Sequence, residues 1–310
     1  MDISTYQVAV LSLSAMVFGI WALVKGGDLT VDGAVSLANR FNLSKVFIAA
    51  TIIAFGTSVP ELFTSMNANL KDYPGISMGN VVGSNIANFL FVFAVCCLFT
   101  PMFCNYDEVK SVLMMMLIAT VILVGGVWAG IFGSVFGAFM FSILVIYVTY
   151  QYFFGDAEES DDDTDSDVSP VSLIGGLVLL AVGSELVVTG SVVVGGLLGV
   201  PEAIIGLTVV AIGTSLPELA ASVTAARKGE ITMIYGNLIG SNVFNVLSIV
   251  GLTAMVKPII VDPAVNGAVL LACLIAIVFS YLVYRGYVFT RFAGSVMALV
   301  YGLYCVLLFA

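Results

Sequence analysis

Runs of about twenty apolar residues, separated by short polar breaks, recur along the whole chain. A helix needs roughly 20 such residues to cross about 30 Å of hydrocarbon. The pattern predicts ten spans, at 7–25, 46–70, 76–100, 109–129, 131–154, 171–198, 203–227, 232–256, 264–284 and 290–309. One long polar stretch, GDAEESDDDTDSDVSP at 155–170, divides them into two sets of five. The expected fold class is an all-α polytopic membrane protein with ten transmembrane helices. Its units are residues 1–154, an acidic linker at 155–170, and residues 171–310.

The two sets repeat each other. TIIAFGTSVPEL (51–62) matches TVVAIGTSLPEL (208–219), an offset of 157 residues. The same offset aligns GNVVGSNIANFL (79–90) with GNLIGSNVFNVL (236–247), and pairs Asp28 with Glu185, Gly33 with Gly190 and Pro101 with Pro258. A second copy of an odd-span unit enters the membrane from the opposite side. The halves are therefore expected to be inverted-topology repeats, as in many secondary transporters. Charge orients them. With both termini outside, the inner loops hold Arg40, Lys45, Lys110, Arg227, Lys228, Arg285 and Arg291, and the outer loops only Lys71 and Lys257. Positive charge favours the inside, so the acidic linker is expected in the cytoplasm, with the protein in the cell (plasma or inner) membrane.

Composition agrees with a membrane protein. The chain is 60% hydrophobic and 10% charged, against roughly 25% charged in soluble domains. The net charge of −10 comes largely from the acids between Asp156 and Asp167, so it implies no nucleic-acid partner. No obligate protein partner is expected. The absence of histidine excludes a histidine proton relay. Cys96, Cys97, Cys104, Cys273 and Cys305 lack zinc spacing and read as packing residues. The start, MDISTYQ, lacks the basic region of a cleaved signal peptide. DDDTDSD fails as an EF-hand loop, because Ser166 and Ser172 stand where glycine and glutamate belong. It reads as a solvated linker.

The chemistry concentrates in the repeated motifs. Glu61 and Glu218 fall in the middle of the second and seventh spans, where a carboxylate costs on the order of 3 kcal/mol or more. Neither span has a lysine or arginine near its glutamate. Pro60 and Pro217 precede them, and a proline displaces the carbonyl four residues earlier, here of Gly56 and Gly213. Thr57 and Ser58 share the helical face of Glu61, and Thr214 and Ser215 that of Glu218. Ser84 and Asn88 are four apart, as are Ser241 and Asn245, and each pair offers neutral oxygens on one face. Carboxylate, hydroxyl and carbonyl are hard ligands suited to Ca²⁺ and Na⁺. Gly79, Gly83, Gly236 and Gly240 allow close helix approach. Asp28 and Glu185 suit interfacial capping or ion guidance. Gly190, Gly195, Gly196 and Gly199 suggest a smooth sixth span.

GTSVPEL…GNVVGSN and GTSLPEL…GNLIGSN resemble the cation/calcium antiporter superfamily, most of all its compact prokaryotic sodium/calcium exchangers. The resemblance implies Ca²⁺ exchanged for Na⁺ by alternating access, with the first and sixth helices sliding over the other eight. It places ion ligands on Glu61, Ser58, Ser84 and Asn88, and on Glu218, Ser215, Ser241 and Asn245. Backbone oxygens would come from Ala54, Thr57, Ala211 and Thr214. Similar exchangers often carry aspartate where Asn245 stands, so this site is more symmetric and less acidic. The expected activity is transport, not an enzymatic reaction, with no cofactor beyond the transported ions. A proton-coupled divalent-cation antiporter and a passive cation channel are the alternatives.

Overall fold

The structure is a computed structural model and describes residues 3–155, 171–198 and 211–308. The acidic linker from 156 onward and residues 203–210 of the seventh expected span lie outside the described residues. Each π-helical stretch is counted with the helix it interrupts. In chain order the helices are α1 (Ile3–Phe41), α2 (Lys45–Thr57), α3 (Val59–Leu70), α4 (Pro74–Phe99), α5 (Tyr106–Ala129) and α6 (Ser134–Phe154). After the linker come α7 (Val171–Leu197), α8 (Ala211–Thr214), α9 (Leu216–Lys228), α10 (Ile231–Val256), α11 (Asn266–Tyr284) and α12 (Arg291–Leu308). Two short strands, β1 (Ile131–Phe132) and β2 (Ile259–Ile260), pair antiparallel. Among the described residues seven helices are long and apolar enough to cross a membrane. They become eight if α2 and α3 form one span bent by 45°.

The expected first span, 7–25, needs correction. Helix α1 runs for 39 residues to Phe41, about 58 Å at 1.5 Å per residue. Apolarity fades at Lys25, but the helix continues because Gly26 and Gly27 are contact points rather than breaks. A Cβ on Gly26 would lie 2.8 Å from the Leu180 nitrogen, and one on Gly27 2.6 Å from the Thr224 hydroxyl. Glycine costs a helix about 1 kcal/mol relative to alanine. Close backbone packing against α7 and α9 offsets that cost.

The α1–α7 contact has a seven-residue glycine rhythm on both helices: Gly19, Gly26 and Gly33 on one, Gly176, Gly183 and Gly190 on the other. A Cβ on Gly19 would meet the Gly183 carbonyl at 2.7 Å, and one on Gly176 the Gly26 carbonyl at 2.8 Å. Of the smooth stripe expected on the sixth span, Gly190 joins this contact, whereas Gly196 has nothing within 4 Å.

These contacts are reciprocal. Adding or subtracting 157 turns Gly19–Gly183 into Gly176–Gly26. It turns the Gly137 contact with Gly251 into the Gly294 contact with Ala94. It also turns the Phe132–Ile259 strand pair into the Met102–Phe289 bridge. The reciprocity is incomplete: a Cβ on Gly236 would lie 2.8 Å from the Val46 carbonyl and one on Gly240 2.5 Å from the Ala50 carbonyl, whereas Gly79 and Gly83, also expected to allow close approach, have nothing within 4 Å.

Helices α4 and α10 occupy the centre: 78% and 83% of their apolar windows are buried, against 17% for α1 and α6. The outer helices turn large apolar side chains such as Leu11, Val121, Ile146 and Leu299 outward, as a lipid-facing belt requires. The ion pairs among the described residues, Lys45–Glu230, Lys110–Asp107, Lys228–Asp32 and Lys257–Asp72, sit at helix ends except for Asp32, which lies within α1. All five cysteines are free.

Candidate cation site

Both glutamates reach the core because their helices break at equivalent residues. Ser58 separates α2 from α3 with φ −84° and ψ 5°, and Ser215 separates α8 from α9 with φ −87° and ψ 6°. Pro60 and Pro217 then lie in the first turn of α3 and α9, where a missing N–H breaks no helical bond. Glu61 and Glu218 occupy the same first turns. There the positive end of the helix dipole favours a carboxylate.

Both glutamates are 1% exposed, and among the described residues they are the only buried charged side chains. The Ser58 hydroxyl donates to Oε1 of Glu218 at 3.2 Å, across the two halves. The Thr57 hydroxyl also faces Glu218, and the Thr214 hydroxyl faces Glu61.

Of the remaining expected residues, Ala54, Thr57, Ser58, Ser84, Asn88, Thr214, Ser215, Ser241 and Asn245 are buried as well. Ala211 opens α8. A π-helical stretch begins at each of Asn88 and Asn245, spanning Asn88–Phe93 and Asn245–Val250. Such wide turns recur at functional sites because they re-aim a side chain within a helix.

Several of the site's oxygens have no hydrogen-bond partner: both carboxylate oxygens of Glu61, Oε2 of Glu218, Oδ1 of Asn88 and of Asn245, and the hydroxyls of Ser215 and Ser241. A buried polar atom without a partner costs about 1–3 kcal/mol. So many in one repeated motif set call for an occupant. Ca²⁺ takes 6–8 oxygens, and hydroxyl, amide and carboxylate oxygens are the donors it and Na⁺ prefer. The arrangement can bind a hard cation and release it.

Several contacts beside these residues were not read from the sequence. The Gly213 carbonyl, expected to be freed by Pro217, accepts the Ser184 hydroxyl at 2.6 Å. Gly27 occupies the equivalent place in the first half, so the repeat gave no sign of Ser184. The Ala54 carbonyl accepts the Ser58 N–H at 3.1 Å and the Thr57 hydroxyl at 3.4 Å. Asn80 donates to the Glu61 carbonyl at 3.2 Å and to the Ser65 hydroxyl at 2.9 Å, anchoring α3 to α4. Asn237 does the same to Ser222 at 3.1 Å. Both asparagines recur in the GN of the repeated motif, a signal that could have found them.

Comparison with known proteins follows the same lines. The family model described as sodium/calcium exchanger protein matches residues 11–153 and 168–310. The putative antiporter CaxA of Alkalimonas amylolytica is 32% identical over 80% of this chain and 82% of its own. The sodium/calcium exchanger MaX1 of Methanosarcina acetivorans is 31% identical over 95% and 97%. A structure of the sodium-calcium exchanger NCX_Mj soaked with zero Na⁺ and Ca²⁺ superposes with a TM-score of 0.86 at 28% identity, covering 97% of this chain and 99% of that one.

Proposed function

Because this chain belongs to the sodium/calcium exchanger protein family and is a multi-pass cation/calcium antiporter, we propose that it exchanges Ca²⁺ for Na⁺ by alternating access at Glu61 and Glu218. The observation that carries this reading is the pair of buried carboxylates with unpartnered oxygens around them and, among the described residues, no ion pair to either. Two bare carboxylates in an apolar core need compensating positive charge. A transported cation supplies it in each state that must cross.

The ligand set is Glu61, Ser58, Ser84 and Asn88 with Glu218, Ser215, Ser241 and Asn245. The backbone of Ala54, Thr57, Ala211 and Thr214 adds further oxygens. Ten crossings in two inverted repeats, 1–154 and 171–310, account for the odd number of spans per half and for the reciprocal contacts. The glycine-lined α1–α7 pair suits sliding over the rest.

The deciding experiment is ⁴⁵Ca²⁺ uptake into proteoliposomes with imposed ion gradients. An outward Na⁺ gradient is expected to drive uptake. Uptake driven by a pH gradient alone would replace this reading with proton coupling. Flux independent of any counter-ion would indicate a channel.

Orientation is tested by labelling single cysteines introduced at 156–167. The positive-inside rule places this loop in the cytoplasm and both termini outside, so labelling is expected only after permeabilisation. Native Cys104 lies beside the α5 start and interferes little. Burial and neighbouring Glu108 push its thiol up to about 12, which leaves almost no reactive thiolate at neutral pH.

A further inference from the structure

Asn85 and Asn242 follow Ser84 and Ser241 in the repeated GSN and carry no role in the site as built so far. They sit against the ligand amides of the opposite half. Asn88 donates through Nδ2 to Oδ1 of Asn242 at 2.8 Å. Asn245 donates through Nδ2 to Oδ1 of Asn85 at 2.9 Å. The 157-residue offset converts one bond into the other, although an onward bond from the second asparagine to a backbone carbonyl is seen, among the described residues, only at Asn242. In both pairs the amide oxygen of the ligand residue is left buried and without a partner.

An asparagine amide can turn by 180°, exchanging oxygen for NH₂ at almost no change in shape. For most packing this is immaterial. For a cation ligand it decides everything, because the oxygen coordinates and the NH₂ repels. Something must therefore set the sense of the amide. The chain of donors sets it. Nδ2 of Asn242 reaches the backbone carbonyl of Asn85 at 3.4 Å, and a carbonyl can only accept. With its nitrogen committed there, Asn242 turns its oxygen to Asn88. Only the nitrogen of Asn88 can meet that oxygen, so the oxygen of Asn88 is delivered to the site.

Building on the antiport reading, we propose that Asn85 and Asn242 are positioning residues that hold the amide oxygens of Asn245 and Asn88 toward the transported cation. Each half thus orients a ligand belonging to the other. Outer groups that orient metal ligands typically change affinity by 10–100-fold when removed.

The competing explanation is that these amides only glue α4 to α10. A double-mutant cycle separates the two. Ca²⁺ binding to purified protein in detergent is measured by calorimetry for Asn242→Ala, Asn88→Asp and the double variant. Asn242→Ala alone is expected to weaken binding roughly 10–100-fold, because the Asn88 amide is free to turn. A carboxylate at 88 presents oxygen in either orientation and has no N–H for Asn242 to accept. In that background Asn242→Ala is expected to cost less than about 3-fold, or to strengthen binding. Equal losses in the two backgrounds, or no loss in the single variant, overturn the positioning role. Where Asn242→Ala does not elute as a monodisperse species, the mirror set Asn85→Ala, Asn245→Asp and their combination carries the same test. The antiport reading fails separately, in the unaltered protein: absence of Ca²⁺ binding there overturns both.

Discussion

Glu61→Gln and Glu218→Gln are each expected to abolish Ca²⁺ transport while leaving the protein folded. Ca²⁺ draws its ligand charge from carboxylates, and these are the only two buried acids among the described residues. With one replaced, a dication faces a single negative group inside an apolar core. Leaving an uncompensated buried charge costs about 3–5 kcal/mol, a loss of at least about 100-fold in affinity at 1.4 kcal/mol per tenfold. Folding survives because glutamine keeps the side-chain volume. Its amide oxygen can still accept the Ser58 hydroxyl that now binds Glu218. Removing one of two repelling carboxylates is moreover expected to raise the melting temperature of the cation-free protein. Gel filtration, thermal melting and ⁴⁵Ca²⁺ flux on both variants check all three points. Normal transport by both would remove these residues from the site.

Competition between Na⁺ and Ca²⁺ is the second large effect. Two carboxylates are neutralised by one Ca²⁺ or by two Na⁺, with any further Na⁺ held by hydroxyl and carbonyl oxygens. Holding Ca²⁺ and several Na⁺ together would leave excess positive charge where repulsion is weakly screened. The ions are therefore expected to alternate. If two Na⁺ displace one Ca²⁺, a tenfold rise in Na⁺ weakens apparent Ca²⁺ affinity by up to about 100-fold through mass action. Protons can neutralise the same pair, so acid is expected to inhibit as well. Equilibrium binding at constant ionic strength measures both dependences. An affinity that ignores Na⁺ yet responds strongly to H⁺ would transfer the coupling to protons.

The neutral side chain at position 245 bears on the same arithmetic. Asn245 donates its N–H to Asn85. A carboxylate there would add charge and lose that donor at once, so Asn245→Asp alters both the charge balance and the amide network.

Much of this molecule was legible from one chain of letters. Glu61 and Glu218 announced themselves because an acid inside an apolar run has few stable places to go. Pro60 and Pro217 marked the breaks, because a missing N–H and a fixed φ act on the nearest turn whatever lies around it. The 157-residue offset paired the motifs and, through them, the halves. Other features required the fold. Hydropathy ended the first helix at Lys25, but contact with α7 and α9 carries it to Phe41. Nothing local joins Ser184 to the Gly213 carbonyl, or Asn88 to Asn242 across 154 residues. Periodicity tells which residues share a face of one helix. Which residue of another helix meets that face depends on where the two axes cross, and glycines on α1, α7 and α10 set those crossings by letting backbones touch. A buried amide finds its partner, and an oxygen its orientation, only after that crossing exists.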